Sequence, residues 1–244
     1  MRSIIIKVLV LFSIICCGQN EGGFAIYKKK MNIPKEKIDS NKDINVQLKQ
    51  SLKSMGEVIN KFEYKLIFNG EKAKYSKLEG LTKEEDNKLS NKLANSVIGV
   101  NGKYYYDMVK LYSINEVNNF GETVLVLRKS IQNKWVLTKE SKVINGEICY
   151  KASTTKVVDT RKGKITREIV AWYNPKINIP VGPDGYFGLP GLIVQVEENN
   201  IITYLQEFKR EKREPKINIP KKGKKMTESE YIEYVKEAIS RVRG

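Results

Sequence analysis

Phe62-Glu63-Tyr64-Lys65-Leu66-Ile67-Phe68-Asn69-Gly70-Glu71 decides the fold class, because here the spacing of the apolar residues changes. Upstream, Ile44, Leu48, Leu52, Met55, Ile59 and Phe62 recur every three or four residues, which lines one face of a helix. From Phe62 onward the period is two: Phe62, Tyr64, Leu66 and Phe68 share one face of a strand. Asn69-Gly70 then supplies the favoured two-residue hairpin turn, so a strand through Ala73 and Tyr75 should pair back. The expectation is a helix over about 40–61, capped by Asp43 or Ser40, followed by strands through 62–208.

The same turn signal recurs at Asn101-Gly102, between Ser96–Val100 and Tyr104-Tyr105-Tyr106. It returns at Asn145-Gly146, between Trp135–Val143 and Ile148–Ser153. Glu122–Lys129 and Ile165–Tyr173 read as further strands, and Leu192–Glu197 and Ile201–Phe208 flank Glu198-Asn199-Asn200 as another hairpin. About nine or ten antiparallel strands cannot lie flat with one face bare, so they curl or split. The predicted class is mainly β (α+β): a curved antiparallel sheet, half-barrel-like, with an N-terminal and a C-terminal helix packed on it. Thr227 caps the last helix, expected over 226–243 with Tyr231, Tyr234, Val235 and Ile239 on one face. Between it and the body, taken as 19–210, the lysine-rich stretch 211–225 with Pro215 and Pro220 reads as a basic linker. Pro-Lys-Ile-Asn-Ile-Pro occurs at both 175–180 and 215–220; a chance reuse of an extended segment and a pair of edge segments are both compatible with it.

Residues 1–18 have the form of a secretory signal peptide: Arg2 and Lys7 form a basic start, and Val8–Ile15 an apolar run ending in Cys16-Cys17-Gly18. The run is far shorter than the ~20 residues that span a bilayer. Cleavage after Gly18 makes Gln19 the mature N-terminus; the alternative is lipidation at Cys17. An exported protein, periplasmic or outer-membrane-associated, is expected on either route.

Forty-four basic against 28 acidic residues give a net charge of +16, which favours an acidic partner such as an anionic membrane surface. Only eight of the basic residues are Arg, which also fits plain Lys-rich composition. Nucleic acid is set aside for an exported chain without a stacking platform or an Arg-rich groove. Outside the leader the one cysteine is Cys149, expected as a small buried hydrophobe. There is no histidine, which removes His-based triads, His acid–base chemistry and the commonest metal ligand. Glu84-Glu85-Asp86 and Glu197-Glu198 read as solvated loop charge, and no calcium-loop pattern occurs.

One stretch remains: Trp172-Tyr173, Ile179-Pro180, Gly182-Pro183, Tyr186, and Gly188-Leu189-Pro190-Gly191-Leu192-Ile193. Its glycines permit positive φ or close backbone approach, and Pro190 must sit where no ladder donor is needed. It reads as a corner that aims Leu192, Val194 and Val196 into the core. The alternative is a ligand-contact loop with Trp172, Tyr173, Tyr186 and Phe187 as an aromatic rim. It lacks the Gly-Lys-Ser/Thr ending of a phosphate loop. With Trp135, Gly146, Cys149-Tyr150-Lys151-Ala152 and Phe68-Asn69-Gly70-Glu71, these residues resemble the GLPGLI family over most of 62–208. The resemblance implies a signal-bearing envelope protein of Gram-negative bacteria, of unknown function, with no cofactor, no catalytic residue and no metal site to carry over.

Three functions follow as expectations. The first is a non-enzymatic binding protein holding an apolar or acyl ligand in the curved sheet. The second is an interaction protein that docks an envelope protein or an anionic membrane surface through Lys221, Lys222, Lys224 and Lys225, with the oligomeric state left open. The third is an enzyme without His chemistry, which requires carboxylates, or Cys149, beside lysines in one cleft.

Overall fold

Burial alternates where the apolar period changes: Tyr64, Leu66 and Phe68 are buried and Glu63, Lys65 and Ile67 half-buried. The structure, a computed structural model, describes residues 22–32, 46–78, 102–129, 134–160 and 163–243. The elements in chain order are β1 (Gly22–Met31), α1 (Val46–Asn60), β2 (Glu63–Phe68), β3 (Lys72–Lys77), β4 (Lys103–Asp107), β5 (Tyr112–Asn119) and β6 (Glu122–Lys129). There follow β7 (Val136–Ile144), β8 (Glu147–Thr160), β9 (Gly163–Asn174), a 3-10 turn (Pro183–Gly185), β10 (Leu192–Glu198), β11 (Ile201–Glu211), β12 (Lys224–Thr227) and α2 (Glu228–Arg243).

The strands form one sheet of twelve in the order β12-β6-β5-β4-β3-β2-β1-β11-β10-β9-β8-β7. Strand twist accumulates across such a width and bends the sheet. Arg128 on β6 and Thr154, Thr155 and Lys156 on β8 stand near opposite ends of that order, yet they line one cavity of about 60 Å³. The sheet therefore curls almost onto itself and leaves β12 and β7 as open edges. Both helices pack onto it. Met55, Val58 and Ile59 of α1 join the core around Tyr27, Tyr64, Leu66 and Phe68. Tyr231 and Tyr234 of α2 lie on Val117, Val124, Val126 and Met226. A reciprocal capping box starts α2: the Thr227 amide donates to Glu230 Oε2 (2.7 Å) and the Glu230 amide to Thr227 Oγ1 (3.3 Å).

The expected class, a curved and mainly antiparallel sheet carrying two helices, is the observed one. Its extent needs correction at both ends. β1, which precedes the expected strands, is a central strand paired with β2 and β11. The expected linker 211–225 begins on the last residue of β11 and ends in β12, which pairs in parallel with β6 and buries Met226. Both Pro-Lys-Ile-Asn-Ile-Pro segments place an isoleucine in the core, Ile179 and Ile217. The first hairpin turn is shifted by one residue: Asn69 Oδ1 accepts the Glu71 and Lys72 amides, so Gly70-Glu71 is the centre. Asn145-Gly146 (φ 52 and 80) turns between β7 and β8 as expected, and Asn199-Asn200 (φ 50 and 62) between β10 and β11. The leader with Cys17, Gly18 and Gln19, the caps Ser40 and Asp43, the strand Ser96–Val100 and the cluster Glu84–Asp86 lie outside the described residues.

The β4–β5 hairpin ends in a turn, Met108–Leu111, closed by the Lys110 amide donating to Asp107 Oδ1 (2.8 Å). Leu111 there adopts φ 54 while remaining 48% exposed. A leucine in the left-handed region costs about 1 kcal/mol, and this one recovers little of it by burial. Leu111→Asn, which tolerates that conformation, should raise stability by about 0.5–1 kcal/mol in thermal denaturation; a lower melting temperature would show that Leu111 is held by packing instead.

Candidate functional site

Between β9 and β10 the chain runs from Pro175 to Gly191 across the inside of the curl, and this crossing segment organises the interior. It is tied from many sides. Tyr106 on β4 donates its hydroxyl to Gly182 O (2.7 Å) and accepts the Gly185 amide (3.0 Å). Trp135, just before β7, donates Nε1 to Phe187 O (3.0 Å). Tyr27 on β1 donates to Ile193 O (2.8 Å), and Tyr186 donates to Glu198 Oε2 (2.8 Å). Backbone bonds Gly188 N to Pro180 O (2.8 Å) and Ile193 N to Val181 O (3.0 Å) fold the segment on itself. Gly191, at φ 146, lies so close to β9 that an added Cβ would sit 2.2 Å from Asn174 O. That approach, not ligand contact, accounts for a glycine here.

Under the segment lies a buried ion pair. Lys29 on β1 is 1% exposed and bonds Asp184, which sits in the 3-10 turn at φ 57. Thr203 on β11 joins both: its Oγ1 accepts from Lys29 Nζ (2.8 Å) and donates to Asp184 Oδ2 (3.0 Å). The Tyr64 ring faces the ammonium at 5.0 Å. Register explains the meeting, since Lys29 pairs with Thr203 and Tyr27 with Tyr64 on neighbouring strands. Burial first, and the Asp184 charge second, push the hydroxyls of Tyr27, Tyr64, Tyr75 and Tyr104 above the usual phenol range. These hydroxyls stay protonated at neutral pH. Asp184 Oδ1 and the Tyr75 hydroxyl are buried without a protein hydrogen-bond partner.

A second feature is open. Between α2 and the ends of β5, β6, β8 and β9 is a cleft of about 800 Å³. Val126, Val157, Val158, Tyr231, Ile232 and Val235 give it apolar walls, and Lys156, Lys164 and Arg167 line it from β8 and β9. Its acidic members are engaged: Glu228 with Arg128, Glu233 with Lys236, and Glu198 with Tyr186. The cleft therefore presents a surplus of positive charge beside an apolar surface.

Most of the motif residues are placed in the core. Trp172, Tyr173, Tyr186, Phe187, Leu189, Leu192 and Ile193 are all below 10% exposed, and Gly182, Pro183 and Gly191 are buried too. Gly188 and Pro190 stand exposed, Pro190 ahead of β10 as expected. Of these residues Tyr186 reaches a small cavity, beside Arg128. Trp172 carries Lys142 over its ring at 4.0 Å. Cys149 is buried, and burial raises its thiol pKa. Glu197 and Glu198 differ from solvated loop charge in that they end β10, with Glu198 bonded to Tyr186. Among the described residues no three Cys, Asp or Glu side chains gather to hold a metal ion. Sequence reasoning missed Lys29, Asp184 and Thr203, and it missed the basic wall of the cleft; the one available signal was an Asp between Gly182-Pro183 and Gly185, in a stretch from Ile177 to Gly191 otherwise without charge.

A family model described as a protein of unknown function (Porph_ging) matches residues 135–195, which run from Trp135 through the crossing segment into β10. No curated protein matches the sequence. Among solved structures the chain is similar to PNGF-II, in its P21 and C2 crystal forms, with a TM-score of 0.51 and 14% identity in each. The likeness covers 87% of this chain and 32% of the PNGF-II chain, and at that identity it concerns the fold alone.

Two substitutions test the anchoring. Lys29→Met leaves Asp184 buried without its cation and should remove about 3–5 kcal/mol in urea denaturation, part of it restored in Lys29→Met/Asp184→Asn; a single variant as stable as the parent would show that the pair anchors nothing. Gly191→Ala should lose about 3 kcal/mol through strain and backbone overlap, and it should loosen the Trp135 environment, read by tryptophan fluorescence.

Proposed function

We propose that this is an exported binding protein of the bacterial envelope, which holds an amphipathic anion of the acyl-chain type in the cleft beneath α2 and does not transform it. The observation that carries the reading is the lining of that cleft. Valines and an isoleucine form apolar walls, while Lys156, Lys164 and Arg167 stand where an acidic head group would be neutralised. Its volume of about 800 Å³ lies within the usual span of small-molecule sites, roughly 300–1,000 Å³. The non-enzymatic part is supported by a sequence without histidine, by protonated buried tyrosines and by a thiol that burial holds in its neutral form. Export, to the periplasm or the outer membrane, is supported by the leader-like residues 1–18 and by the resemblance of Gly188–Ile193 to the GLPGLI family.

Val157 and Ile232 are 60% and 44% exposed, so charging them should spare the fold and spoil the cleft. The purified protein should enhance the fluorescence of cis-parinaric acid, and unlabelled oleate should displace the probe. Val157→Glu/Ile232→Glu should weaken that binding at least about tenfold, a loss of about 1.4 kcal/mol, with an unchanged melting temperature. No enhancement by the parent protein, or equal binding by the variant, would remove the cleft as the site.

A further inference from the structure

The side chains of β5 and β6 alternate between the two faces of the sheet. Asn115, Val126 and Arg128 face the cleft, whereas Ile114, Leu125 and Leu127 face outward and floor a separate groove of about 690 Å³. The geometry points to this outer face as a membrane-docking surface that takes the anionic head-group layer of a lipid bilayer.

Three observations carry it independently of the cleft. First, the groove runs to the tip of the β4–β5 hairpin, where Val109 is 69% and Leu111 48% exposed. Two large apolar side chains held out at a hairpin tip, one of them in the left-handed region at φ 54, fit a segment that dips below a head-group layer better than one meeting water. Second, the apolar floor is flanked by Lys110 at the tip, Lys129 at the end of β6 and Lys225 on β12, all exposed. Cations beside exposed apolar groups match an anionic interface, each lysine near such a surface contributing attraction that salt screens. Third, of the described acids at this end, Asp107 is buried beneath the turn, accepting the Lys110 amide, and Glu71 pairs with Lys72 at 3.8 Å. The net charge of +16 supplies a long-range field of the same sign.

The test is sedimentation of the purified protein with phosphatidylcholine vesicles, with and without phosphatidylglycerol. The protein should bind the phosphatidylglycerol vesicles at least about tenfold more strongly, and about 1 M salt, where the screening length is about 3 Å, should release it. Val109→Ser/Leu111→Asn should bind at least about tenfold more weakly while melting no lower than the parent, which separates docking from folding. Lys110→Gln/Lys129→Gln/Lys225→Gln should lose the preference for phosphatidylglycerol. Binding that ignores lipid charge, a tip variant that binds like the parent, or no vesicle binding together with self-association through this face would each overturn the assignment. The cis-parinaric acid titration reads the cleft alone, so either site can fail without the other.

Discussion

An ammonium group in an apolar interior is tolerated only where a carboxylate and further hydrogen bonds replace its water, and the interior of this protein is built around that demand. Lys29 projects inward from the centre of the sheet, and its partner Asp184 arrives on a segment more than 150 residues later in the chain. Meeting the charge forces the crossing segment to lie across the curl and to place Gly182, Gly185 and Phe187 within reach of Tyr106 and Trp135. The tyrosines fit the same logic: they supply apolar area to the core and end in hydroxyls that can satisfy backbone groups of an irregular segment. A segment without regular structure can be buried here because its carbonyls and amides find these donors and acceptors.

The curl that the segment fills also divides labour between the two sides of one set of strands. On β5 and β6 the inward residues meet α2 and the cleft, while the outward ones form an apolar groove beside lysines. α2 is held to the inner side by Tyr231 and Tyr234 and by Glu228 pairing with Arg128, so the cleft has one wall of helix and one of sheet. At the open edge, β7 carries Lys139, Glu140 and Lys142 between its apolar ends and an irregularity between Leu137 and Ser141, features that discourage pairing with a stray strand.

Much of the sheet was legible because local signals agreed with each other. The period change at Phe62, the turns at Asn145-Gly146 and Asn199-Asn200, and the Val-Leu-Val-Leu run of β6 need no partner to be recognised. β1 was not legible, since Tyr-Lys-Lys-Lys-Met shows no apolar alternation and its inward residue at the third step is Lys29 itself. β12 is four residues long, and β6 alone, pairing with it in parallel, makes it a strand. The aromatic cluster around the motif could be located by eye in the sequence, but not its burial, which depends on strands from both halves of the chain closing over it.

What the sequence determined by itself is therefore local: which stretches extend, where they turn, where α2 is capped, and the leader-like character of residues 1–18. Tertiary structure alone decided which face of each strand is inside, that Lys29 and Asp184 are partners, that Leu189, Gly191, Leu192 and Ile193 of the motif are a buried fastening, and that the cleft and the groove exist. The division follows from range. Turn chemistry and periodicity act over a few residues, whereas the desolvation of a charge is settled by whatever group the whole fold brings beside it.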